Sequence, residues 1–114
     1  MNRPMADLWN FREDVGHDRA DLDGMTVEAV DGGVGSVKDV INDVDGAYLL
    51  VDTGPPILGK TVLVPAGLVT AIDVDSESVR VDRVKDEIKG APEFEAGLGK
   101  DPAYRDALTR HYSG

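Results

Sequence analysis

Two aliphatic runs separated by a rigid bend, residues 48–65, constrain this 114-residue chain more than any other stretch. Leu49, Leu50 and Val51 form the first run, and Val62, Leu63 and Val64 form the second. Between them lie Gly54, Pro55, Pro56 and Gly59, and Pro65 closes the second run. Short, unbroken apolar runs bounded by Gly and Pro read as strands covered on both faces. The stretch therefore predicts the centre of a small β domain, with Gly54, Pro55, Pro56, Gly59 and Pro65 as a structural loop.

The same residues satisfy a different pattern. Gly54 to Thr61 fits G-x-x-x-x-G-K-[ST], the phosphate loop of nucleotide hydrolases, which would make Lys60 and Thr61 nucleotide ligands. That loop works by aiming consecutive backbone N–H groups at phosphates and then opening a helix toward the anion. Pro55 and Pro56 remove two donors, and Pro65 would break a helix within its second turn. The β-branched Val62 and Val64 favour a strand instead. The expectation is two strands and no nucleotide.

Four more strands are expected around this pair. Residues 25–30 alternate, with Met25, Val27 and Ala29 on one face, and end at a turn over Asp31, Gly32 and Gly33. Residues 35–41 follow, with Val37 and Ile41 inward and Lys38 outward, and Gly33 and Gly35 suggest a bulge or tight bend. Residues 69–73 and 79–84 form the last two, joined by a turn. Six short strands at even spacing predict a mainly β protein, a small closed or strongly bent six-stranded barrel.

The flanks differ in character. Residues 1–20 are a polar arm carrying Leu8, Trp9 and Phe11, and residues 13–21 read as a linker. Residues 85–89 make one helical turn stopped by Gly90. After a glycine-bearing loop, Asp101 suits an N-cap and Pro102 a first helical position, opening a short C-terminal helix with Tyr104, Leu108 and His111 on one stripe and Tyr112 beside it. A helix of that length is marginal alone and must dock on something. The division expected is an arm at 1–20, a β domain at 21–94, and a loop and helix at 95–114.

Lys and Arg number 12 against 22 Asp and Glu, a formal charge of -10. An acidic field repels phosphate backbones and anionic lipid heads, so no nucleic-acid partner is expected, and a cationic partner is the sharper alternative to a merely solvated surface. No long apolar run is present, so no membrane insertion is expected and a cytoplasmic location is the default. There is no cysteine, which removes thiolate chemistry. His17 and His111 adjoin no nucleophile motif, so no catalytic residue is assigned. Turns at Asp43, Asp45 and Asp73, Asp75, Glu77 bear carboxylates, yet neither carries the Gly and Glu spacing of a calcium loop. No metal site and no cofactor follow.

Read in order, Asp21-Leu22-Asp23-Gly24-Met25-Thr26-Val27, Asp31-Gly32-Gly33-Val34-Gly35-Ser36-Val37-Lys38-Asp39-Val40, Tyr48-Leu49-Leu50-Val51-Asp52-Thr53-Gly54 and Leu58-Gly59-Lys60-Thr61-Val62-Leu63-Val64-Pro65 resemble a PRC-barrel domain over residues 20–94. That family is named for the cytoplasmic domain of the H subunit of photosynthetic reaction centres. The resemblance implies a strongly bent β-barrel and a non-enzymatic adaptor. One known member tunes quinone-linked electron transfer, and another, part of a ribosome maturation factor, contacts a small-subunit ribosomal protein. A stand-alone protein-binding module is expected, of unknown partner and paired as a homodimer. Trp9, Phe11, Tyr104, Leu108 and Tyr112 are the candidate partner or dimer contacts. A nucleotide- or metal-binding protein, or a small enzyme using residues 54–61 or the Asp-rich turns, is the alternative.

Overall fold

A computed structural model describes residues 8, 9, 11, 22–43, 46–54, 60–95, 97, 98 and 101–113. The strands are β1 (Thr26–Ala29), β2 (Gly32–Asp43), β3 (Gly46–Thr53), β4 (Lys60–Pro65), β5 (Val69–Asp73) and β6 (Ser78–Val81), and the helices are α1 (Lys85–Lys89) and α2 (Pro102–Ser113). A short 3-10 turn, Ala66–Leu68, links β4 to β5. The protein is mainly β, with one barrel-like sheet in the order β4-β3-β2-β1-β6-β5. Neighbours are antiparallel except β1 and β6, which run parallel.

This order dictates the bend. A flat six-stranded sheet would hold its outermost strands about 24 Å apart. β4 and β5 are those outermost strands, yet four residue steps join Pro65 to Val69, a reach of at most about 14 Å. The sheet must curl on itself. It does so without closing: hydrogen bonds run from β4 round to β5 and join no further strand pair among the described residues.

Curling makes one face an interior. Val27 pairs with Val79, Val37 with Val51, Val51 with Val62, Leu49 with Val64, and Val69 with Val81, all of them buried. The opposite face of β3 and β4 carries Tyr48, Leu50 and Leu63, and these are buried too. Their cover is α2. Its Tyr112 hydroxyl donates to the Leu63 carbonyl at 3.4 Å, and its Arg105 lies over the Tyr48 ring. The expectation of strands covered on both faces is met for this reason.

The bend at 54–59 also behaves as expected at its ends. β3 stops at Thr53, Gly54 turns the chain at φ 82°, and β4 begins at Lys60, paired with Thr53. Positive φ is the conformation that glycine adopts without steric cost. Pro55, Pro56 and Gly59 lie outside the described residues, and Pro65 ends β4 buried against the core.

Three expectations are corrected. The hairpin turn falls at Val30 and Asp31, because Gly32 and Gly33 already pair with Ala29 and Glu28. Ile41 does not share the inner face of Val37: Lys38 is an unpaired extra residue in β2, so alternation resets and Ile41 sits opposite Tyr48 on the α2 side. β6 ends at Val81, three residues short of expectation, because Val84 instead becomes the residue before α1 and is 44% exposed.

Candidate functional site

The nucleotide-like loop spends its chemistry internally. Lys60 Nζ donates to the Ala91 carbonyl at 3.0 Å, and Thr61 Oγ1 donates to Asp52 Oδ1 at 2.7 Å across the β3–β4 ladder. With a strand running from Lys60, no helix terminus faces an anion there.

The aromatic candidates are brought together, and on their own barrel. Asp101 caps α2 as expected, its carboxylate accepting the Ala103 N–H at 3.0 Å, and this sets the phase of the helix. Tyr104, Leu108 and Tyr112 consequently face the sheet and are buried. Tyr104 donates to the Pro92 carbonyl at 3.0 Å and meets Phe94 edge to face. Burial, then the nearby Tyr48 and Glu93, push the Tyr104 hydroxyl up to about 12. Tyr112 is raised further, burial again being the main cause, with Glu87 adding to it.

Each tyrosine is neutral when buried and must ionise at its ordinary pKa, about 10, once unfolded. The stabilisation is complete below about pH 10 and drains away as pH rises through about 12. Urea midpoints recorded on the alkaline side should fall over that window, and the fall should be shallower in Tyr104→Phe.

Trp9 docks beside them. Its ring meets Tyr48 edge to face at 6.4 Å, its Nε1–H points to Thr109 Oγ1 at 3.4 Å, and the Arg105 guanidinium sits 4.9 Å over its centroid. Phe11 packs half-buried against the same core. Arg105→Ala should cost about 1 kcal/mol, a partly exposed cation–π contact. Because Trp9 is the sole tryptophan, its emission should shift to the red in that variant; unchanged emission would show that the arm docks otherwise.

The remaining chemistry-bearing residues have structural uses. Among the described residues no cluster of three or more His, Asp or Glu is placed to hold a metal ion. Asp73 accepts the backbone N–H groups of Asp75 and Ser76, and bonds from the Ser76 side chain and backbone hold its carboxyl below the usual range. Asp45 and His17 lie outside the described residues. His111 Nε2–H donates to the Glu87 carbonyl at 2.6 Å, and Arg83 joins Glu87 to the Tyr112 carbonyl, so these groups tie α1 to the end of α2.

What periodicity did not reveal is the difference between the two sheet edges. The β4 edge is filled from within: Glu93 bridges to Val62, and the Phe94 N–H donates to the Thr61 carbonyl at 2.8 Å. β5 pairs only with β6 among the described residues. On the other side of β5, toward β6 and β1, lies a groove of about 480 Å³ lined by Glu28, Val30, Gly32, Thr70, Arg80 and Asp82. An unpaired edge carries free N–H and C=O groups, a template for another extended chain. The strand order, which places β5 last, is the missing signal, and it is set by the parallel β1–β6 pairing.

No helix among the described residues is long and apolar enough to cross a membrane. No protein-family model matches the sequence, and no match is found among curated proteins. Among solved structures the chain is similar to RimM of Pseudomonas aeruginosa, described as a 16S ribosomal RNA processing protein, at 22% identity and a TM-score of 0.48. The match covers 57% of this chain and 42% of that one, so the chain corresponds to less than half of RimM.

Proposed function

We propose that the chain is a protein-binding module of PRC-barrel type that works in the cytoplasm by contact, without catalysis. The observation that supports this most directly is the unequal treatment of the two sheet edges. Residues 93 and 94 pair with one edge, whereas β5 pairs only with β6 among the described residues, and a groove lies on the neighbouring β6–β1 side. Tyr104, Leu108 and Tyr112 are buried on their own barrel and Arg105 lies over Trp9, which supports placing the partner surface on the β5 and β6 side.

The test is site-specific photocrosslinking in the native cells. A photoreactive residue at Thr70 or Val30 should yield discrete adducts that vanish after unfolding, and one at Asp106, on the exposed side of α2, should yield none. No adduct from any of the three positions would overturn the proposal.

A further inference from the structure

We infer that α2 and the start of β3 form a docking site for a tryptophan-bearing segment of a partner protein, held closed here by the chain's own residues 8–11. The site contacts an indole ring in three different ways. Tyr48 meets the Trp9 ring edge to face, the Arg105 guanidinium lies over its face, and Thr109 Oγ1 accepts its N–H. Thr109 gives its own proton to the Arg105 carbonyl at 2.9 Å, which leaves the hydroxyl oxygen to act as that acceptor. Gly46 is the floor: a Cβ there would lie 3.2 Å from both Trp9 Cβ and Arg105 Nη1.

Every group that receives Trp9 lies outside the arm. Tyr48 is fixed in β3 between Ile41 and Pro65, and α2 is anchored by the buried Tyr104, Leu108 and Tyr112. Arg105 has the Tyr48 ring as a second aromatic contact, at 5.8 Å. The site is therefore built independently of its occupant, and a pre-organised site loses little in ordering itself on binding.

The occupant, by contrast, is incompletely held. The indole N–H reaches Thr109 at 3.4 Å, beyond the ordinary range of about 2.7–3.2 Å. Leu8 is buried, but Trp9 and Phe11 stay half-buried. The advantage of the arm is its tether: residues 12–21 join Phe11 to Leu22, and a short link gives an effective concentration on the order of 1 mM. A second copy brings the same segment without that advantage and would exchange arms only near millimolar protein. A different protein, whose tryptophan sinks deeper and bonds Thr109 at ordinary length, displaces the arm. While Trp9 is seated the site is closed, so Asp106 stays silent in the crosslinking test.

The experiment uses a labelled synthetic peptide of residues 5–13, followed by fluorescence anisotropy. The full chain carrying Trp9→Ala should bind it saturably with a Kd below about 1 mM, because the tethered segment is seated at about that effective concentration. The wild-type chain, its site filled, should bind at least about tenfold more weakly. Adding Arg105→Ala to Trp9→Ala should weaken binding about fivefold, and a peptide with alanine in place of tryptophan should not bind. A second readout needs no variant. Trp9 is the sole tryptophan, so an isotope-labelled wild-type chain shows one indole N–H resonance. Excess unlabelled peptide should move that resonance toward its unfolded-chain position and shift the amides of residues 46–48 and 105–109. No binding to Trp9→Ala by about 1 mM, equal affinity for the two chains, or an indole resonance that stays in place while peptide binds would each overturn the inference. Any of these would leave the reading of the β5 and β6 side intact, since that surface is tested separately through Thr70 and Val30.

Discussion

Gly35→Ala should destabilise the fold by about 3 kcal/mol or more, at the top of the range for overpacking a core. A Cβ at residue 35 would lie 2.0 Å from the Asp52 carbonyl oxygen, 3.0 Å from its carbon and 3.2 Å from Thr53 Cα. All three are backbone atoms of β3, which is hydrogen-bonded on one side to β2 and on the other to β4, so there is no flexible side chain to yield. Relief requires moving the central strand or breaking the Ser36–Asp52 pairing. Gly33→Ala is the control two residues away, because a Cβ there meets nothing within 4 Å. Urea unfolding at constant m-value should separate the two variants clearly. Equal stability of both would mean that β2 and β3 do not approach as described. Against a typical total of about 5–15 kcal/mol, the Gly35 change alone could leave the chain unfolded at moderate temperature.

The second large effect belongs to α2. Tyr112→Ala should cost about 3–5 kcal/mol, as expected for emptying a fully buried aromatic site. Tyr112 is among the largest side chains wholly removed from solvent, and it fills the space between α2 and the outer face of β4. Tyr112→Phe is the informative partner. The hydroxyl reaches the Leu63 carbonyl only at 3.4 Å, near the outer limit of a useful hydrogen bond, so its loss should cost no more than about 1 kcal/mol. Chemical denaturation of both variants measures the split between packing and hydrogen bonding. A small loss in Tyr112→Ala would indicate that α2 contributes little to this barrel and would return Tyr104, Leu108 and Tyr112 to the pool of partner contacts.

These variants probe residues that the sequence presents ambiguously. An aromatic outside the strand pattern has equal claim to a partner and to its own domain, since both remove it from water. Here the choice follows from helix phase. Capping by Asp101 starts α2 at Pro102, and from that start Tyr104, Leu108 and Tyr112 recur at four-residue spacing toward the sheet. The exposed apolar residues that remain, Val30, Val74 and Val84, are small, isolated in sequence and located in turns or strand ends.

The sequence by itself determined the elements that rest on local physics. Proline and glycine at 54–59 placed the bend, aliphatic runs placed β3 and β4, and the Asp101–Pro102 pair placed the start of α2, because each depends on backbone freedom within a few residues. Tertiary structure alone decided the parallel β1–β6 pairing, the face reset at Lys38, the inward use of the aromatic residues and the place of β5 at the end of the sheet among the described residues. Those features depend on contacts between separate segments, as far as 100 residues apart for Trp9 and Thr109, and no periodicity within one segment reports which other segment it will meet.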